Sequence, residues 1–199
     1  MNSTRTNDPF VDQRVSELSV SNCNRLVGIS GFINDDKSCE KLESLDISRC
    51  GELDDISQLT FCPNLRKLNV TNCTRLRDIS SLSACTQLHT VDISVTGVTN
   101  VSALTHKTLH TIDLSNTDVE NISSIAACKN LHTLRLLGCT KVKDTTPLSQ
   151  CTKLHTILLS GCKRLKNLPS IPNLHTFKLP NCSRVTCFFF VVFDDREKR

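Results

Sequence analysis

Between Cys128 and Pro172 the chain repeats itself. The stretch C-K-N-L-H-T-L-R-L-L-G-C-T-K-V-K-D-T-T-P-L-S-Q runs directly into C-T-K-L-H-T-I-L-L-S-G-C-K-R-L-K-N-L-P-S-I-P. Cys128, Leu131, Leu134, Leu136 and Cys139 of the first copy are matched by Cys151, Leu154, Ile157, Leu159 and Cys162 of the second. A unit this short has too little apolar surface to fold alone, so stacked neighbours must complete its core. The repeat therefore predicts one continuous solenoid rather than separate domains.

The same register extends through most of the 199 residues, with leucines opening successive units at Leu42, Leu65, Leu88, Leu109, Leu131, Leu154 and Leu174. The steps between them are 23, 23, 21, 22, 23 and 20 residues. A degenerate first unit holds Val15, Leu18, Val20, Cys23, Leu26 and Ile29, and the irregular segment G-F-I-N-D-D-K-S-C-E links it to the second. With the opening residue as position 1, positions 4 and 6 are apolar: Leu45 with Ile47, Leu68 with Val70, Val91 with Ile93, Ile112 with Leu114. Side chains alternate along a strand, so positions 3 and 5 must face the other way. The strands should align into one parallel sheet on a concave side. The returns, such as D-I-S-S-L-S-A and E-N-I-S-S-I-A-A, are short and rich in Ser and Asp. They predict turns and single 3-10 turns rather than full helices. The organisation expected is a polar arm over 1–14, a repeat domain of about eight units over 15–187, and an apolar then charged tail over 188–199. Phe188 to Phe193 of that tail either cap the last coil or mark a cut through a longer array.

Twelve cysteines would suggest a disulfide framework in an exported protein. Residues 1–14 hold no apolar stretch of signal-peptide length. The expectation is an intracellular protein, cytoplasmic or nuclear, with free thiols. Cys23, Cys50, Cys73, Cys139, Cys162 and Cys182 occupy position 9, which Thr96 and Thr117 fill in two other coils. A compact donor is needed there to bond backbone carbonyls at the strand exit, and S–H or O–H can serve. Cys39, Cys62, Cys85, Cys128 and Cys151 lie three residues before a strand leucine and should pack as small buried hydrophobes. No C-x-x-C pair occurs, which argues against zinc.

His89, His110, His132, His155 and His175 each follow a strand leucine as L-H-T. Such a column could bind a metal or sense pH, but the simpler reading is a copied motif exposed at the strand entrance. No nucleophile, base and orienting group recur together, and no glycine-rich phosphate loop is present. The chain is read as a non-enzyme without a cofactor.

Position 5 reads Ser19, Asp46, Asn69, Asp92, Asp113, Arg135, Leu158, Lys178, and position 3 is mostly Thr after Lys67. The concave face should be polar with an acidic middle, turning basic or apolar toward the C-terminal end. It is the expected protein-binding surface, carried by Asp46, Lys67, Asn69, Asp92, Asp113, Arg135, Leu158 and Lys178. A basic rim follows the strands, with Arg75, Arg77, Lys141, Lys143, Arg164 and Lys166. A net charge of +4, with Trp and Tyr absent, argues against a dedicated nucleic-acid binder. The longest apolar run, Cys187 to Phe193, is about a third of a membrane span.

The opening L-x-x-L-x-L of each unit is that of leucine-rich-repeat proteins. The stretch from Ile157 to Pro169 resembles the repeats of plant immune receptors. Units ending like Asp78 to Cys85 are most similar to trypanosomatid leucine-rich-repeat proteins of the expression-site-associated type, and the coils with T-G-V and T-D-V resemble phosphatase-regulatory and internalin repeats. The resemblance implies an α/β right-handed horseshoe that binds a protein partner as a monomer. The alternatives are a regulatory or substrate-recognition subunit of a phosphatase or ubiquitin-ligase complex, or nucleic-acid association through the basic rim. Nothing in the chain matches the zinc-binding RING module of the ligase relatives.

Overall fold

The structure is a computed structural model that describes residues 15–33, 39–182 and 187–188. The 1–14 arm and all but Phe188 of the tail lie outside the described residues. Each coil contributes one three-residue strand beginning two residues after its position 1. The strands are β1 (Glu17–Ser19), β2 (Ser44–Asp46), β3 (Lys67–Asn69), β4 (Thr90–Asp92), β5 (Thr111–Asp113), β6 (Thr133–Arg135) and β7 (Thr156–Leu158). After β8 (Asn167–Leu168) comes β9 (Thr176–Lys178), which completes an eight-stranded sheet in the order β1-β2-β3-β4-β5-β6-β7-β9. A last strand, β10 (Cys187–Phe188), pairs in parallel with β8.

Every pairing in the large sheet is parallel and joins like positions, so Leu45 faces Leu68, Leu68 faces Val91 and Val91 faces Ile112. Positions 4 and 6 are sealed from Leu45 through Leu159, and they form one core running the length of the stack. The returns carry 3-10 turns at Ser57–Phe61, Ser80–Ala84, Ser123–Ala127 and Thr146–Gln150. Each is started by an Asp or an equivalent group that accepts from the N–H two residues on, as Asp55 does from Ser57 at 2.8 Å and Asn121 from Ser123 at 2.9 Å. These Asx turns supply an acceptor for a backbone donor that the short helix leaves free.

Position 8 bends the chain out of the strand. Its φ is positive at Asn22, Arg49, Asn72, Val95, Asn116, Gly138, Gly161 and Asn181. Asn and Gly enter the left-handed region readily, whereas β-branched Val95, at 56°, is strained there. The bend aims the position-8 N–H at position 7 of the next coil, as from Asn72 to Ser94 (2.9 Å) and Asn116 to Leu137 (2.6 Å).

The cysteines reach across coils. Cys73 Sγ donates to the Ile47 carbonyl (3.1 Å), Cys139 to Leu114 (3.0 Å) and Cys162 to Leu136 (3.1 Å), each acceptor being position 6 of the preceding coil. Thr96 and Thr117 instead return to position 6 of their own coil, at Ile93 (2.7 Å) and Leu114 (2.6 Å). Service to the coil's own bend thus describes the threonines and not these cysteines, which stitch neighbouring coils together. The second cysteine column is fully buried as expected; Cys85 and Cys151 donate backward, to Leu59 (3.4 Å) and Ile125 (3.3 Å), whereas Cys39 donates forward to Phe61 (2.8 Å). His106 fills that column where cysteine is missing, with Nε2 2.8 Å from the Leu82 carbonyl.

Candidate protein-binding surface

Positions 3 and 5 do face away from the core, and the parallel register sets them in columns one strand spacing apart. The acidic part of that face has a structural duty that the alternation of the strand does not reveal. Asp46, Asn69, Asp92 and Asp113 each turn Oδ1 back to the N–H two residues on, at Ser48, Thr71, Ser94 and Ser115, over 2.9 to 3.0 Å. The signal was present in the sequence as Asx followed two residues later by Ser or Thr. Asp92 also takes a 2.6 Å bond from the Ser94 hydroxyl. Asp113 Oδ2 lies 3.6 Å from an Arg135 guanidinium nitrogen, so the acidic and basic segments meet in an ion pair. Beyond it Leu158 sits in register between Arg135 and Lys178, a half-buried apolar side chain flanked by two cations. Lys67 is exposed at the N-terminal end of the same face.

The rim is less uniformly basic than the sequence suggests. Arg75 pairs with Glu52, Lys141 with Asp118 (3.0 Å) and Lys143 with Glu120, each acid lying one coil earlier. The Lys143 ammonium holds the Glu120 carboxyl below its ordinary range, through a hydrogen bond first and its charge second. Arg77, Arg164 and Lys166 are exposed and make no ion pair among the described residues.

The five L-H-T histidines form a stack. Ring centroids are 5.0, 4.8, 4.7 and 4.0 Å apart from His89 to His175, with planes within 21° of parallel. They are not uniformly exposed: His110, His132 and His155 are half-buried between their neighbours. Burial and the adjacent imidazoles push the His110 proton affinity down. Among the described residues no group of three or more His, Cys, Asp or Glu is placed to hold a metal ion. Among those residues, no helix is long and apolar enough to cross a membrane.

Two family models match the chain. One is the leucine-rich repeats of disease resistance protein RPS4B-like, over residues 10–99, and the other is a two-copy leucine-rich repeat, over residues 107–150. The fold is a leucine-rich-repeat solenoid. The plant-type match falls on the N-terminal half, away from the Ile157–Pro169 motif that resembles those receptors. Among solved structures, the leucine-rich-repeat domain of the type III effector XCV3220 (XopL) superposes with a TM-score of 0.69 at 18% identity, covering 85% of this chain and 62% of that one. Internalin C2 of Listeria monocytogenes gives 0.58 at 19% identity, covering 71% of this chain and 70% of that one. InlJ of the same organism, whose functional domain includes a cysteine ladder, gives 0.51 at 20% identity over 84% of this chain and 42% of that one. No curated protein matches the chain in sequence.

Proposed function

We propose that this solenoid is a non-catalytic protein-binding module whose partner lies across the concave face from Asp92 to Lys178. Stacked repeats present an extended concave surface of this kind. The observation that carries the reading is the column Asp113, Arg135, Leu158, Lys178. It sets an acid, a cation, an apolar side chain and a second cation side by side on a rigid sheet. A half-buried apolar residue ringed by charge has the make-up of an interface anchor with a polar rim. The partner it suits carries an apolar side chain beside carboxylates. The thiol-to-carbonyl bonds of Cys73, Cys139 and Cys162 support a setting in a reducing compartment, cytoplasm or nucleus.

The test is site-directed photo-crosslinking. A photoreactive residue at position 135 or 158 should capture one discrete partner from native extract, and the same probe at Ser83 or Ser149 on the convex returns should not. Capture from the convex positions alone would place the interface elsewhere.

A further inference from the structure

The histidine stack borders a groove of about 450 Å³ that the concave face does not include. Arg66, Gln87, Asn130 and Lys153 line it together with His89, His110 and His132. His110 and His132 spend both faces on neighbouring rings and His89 spends one, so the inner rings have only edges to meet a ligand. On one edge Nδ1 is held, by the Thr108 carbonyl for His89 (3.2 Å), by Thr111 Oγ1 for His110 (3.2 Å) and by Thr133 Oγ1 for His132 (3.2 Å). The Nε2 atoms of these three have no hydrogen-bond partner among the described residues.

We infer that this groove is a second, pH-dependent binding site for an extended acidic peptide, its carboxylates received along the Nε2 edges of the stack between Arg66 and Lys153. The charged surroundings favour an anion. Arg66 and Lys153 flank the histidines, and the nearest carboxylate in the column, Glu43, is paired with Arg66 at 3.4 Å. Asp92 and Asp113 stand three residues further along the strands, with one oxygen each tied to Ser94 and Ser115. A single-stranded nucleic acid fits less well, because base stacking needs an open aromatic face and of the three groove histidines only His89, at the end of the stack, keeps one.

The stack makes the site a proton sensor. One added proton lies 4 to 5 Å from the next ring, so neighbouring histidines resist charging together. His110 and His155 accordingly hold protons less tightly than free histidine, by burial first and by the adjacent imidazoles second. Carboxylates laid along the edges offset that repulsion and favour the protonated form. Binding then takes up protons, and affinity rises as pH falls through the histidine range.

A fluorescein-labelled decapeptide of alternating Asp and Gly serves as the probe, by anisotropy at low salt. Kd at pH 5.5 should be at least about tenfold lower than at pH 7.5, the effect of one or two linked protons. The His110→Gln/His132→Gln variant should lose that pH dependence, and His89→Gln, at an exposed position, should weaken it if the double variant folds poorly. Asp92→Asn/Asp113→Asn should retain it, which separates this site from the concave one. Absence of binding at pH 5.5, an equal pH response in the histidine variants, or tighter binding of a ten-nucleotide oligothymidylate would overturn the proposal.

Discussion

Cys73 and Ile47 are 26 residues apart in sequence and joined by a 3.1 Å bond from thiol to carbonyl. The same backward step recurs at Cys139 and Cys162, so a coil with cysteine at this position is fastened to the one before it. Cys73→Ala removes the donor and leaves a buried carbonyl one partner short, at a cost of about 1–3 kcal/mol. Cys73→Ser should cost less, because its hydroxyl keeps a donor beside the Ile47 carbonyl. Urea melts of the two variants check the order; equal stability of Cys73→Ala and wild type would show that the bond contributes nothing.

The thiols should also be inert while the chain is folded. Burial pushes Cys73 up to about 11 and Cys85, Cys128 and Cys162 to about 12, so they remain protonated donors at neutral pH. Iodoacetamide at pH 8 should modify exposed Cys23 first and leave the buried columns until denaturant is added. Rapid native-state modification of several buried cysteines would contradict this.

Val95 is the one β-branched residue among the left-handed position-8 sites, and it is 37% exposed, so little packing is lost by changing it. Val95→Asn should stabilise the fold by about 1 kcal/mol through relief of backbone strain. A chain of this size would show that as a rise in Tm of roughly 2–4 °C. An unchanged or lower Tm would remove strain from the account.

Acid should weaken the convex turns. Asp55 is held below the ordinary carboxylate range by hydrogen bonding from Ser57, and Asp144 by hydrogen bonding from Thr146. A folded-state value below the unfolded one means a contribution complete above the unfolded value, near 4, and lost as pH falls through the folded one. Asp55→Asn/Asp144→Asn keeps an acceptor at both turns without the titration. Its urea midpoint should therefore fall less between pH 5 and pH 2.5 than that of wild type. Identical acid profiles would assign the loss to other groups.

Position-level periodicity made the core legible: the alternation at Leu68 and Val70 or Ile112 and Leu114 places those side chains inside without any structure. The strand-exit chemistry was only half legible. A cysteine at position 9 announces a compact donor, but whether it serves its own coil or the previous one depends on side-chain reach in three dimensions, where Cys and Thr differ. The acidic column was likewise half legible, since outward direction at Asp92 and Asp113 does not tell that one oxygen bends back to the chain. The L-H-T motif showed a column, and only the ring geometry showed a stack with one nitrogen edge open.

Leu158 and Leu159 are consecutive leucines with opposite assignments, the first half-buried on the concave face and the second fully buried in the core. Leu158→Ser should leave stability within about 0.5 kcal/mol, the usual range for a surface change. It should weaken the captured partner at least about tenfold, as loss of an anchor does. Leu159→Ala should cost about 2–5 kcal/mol in denaturant melts. A Leu158→Ser protein that unfolds as readily as Leu159→Ala, or one that binds the partner as tightly as wild type, would contradict the concave-face account.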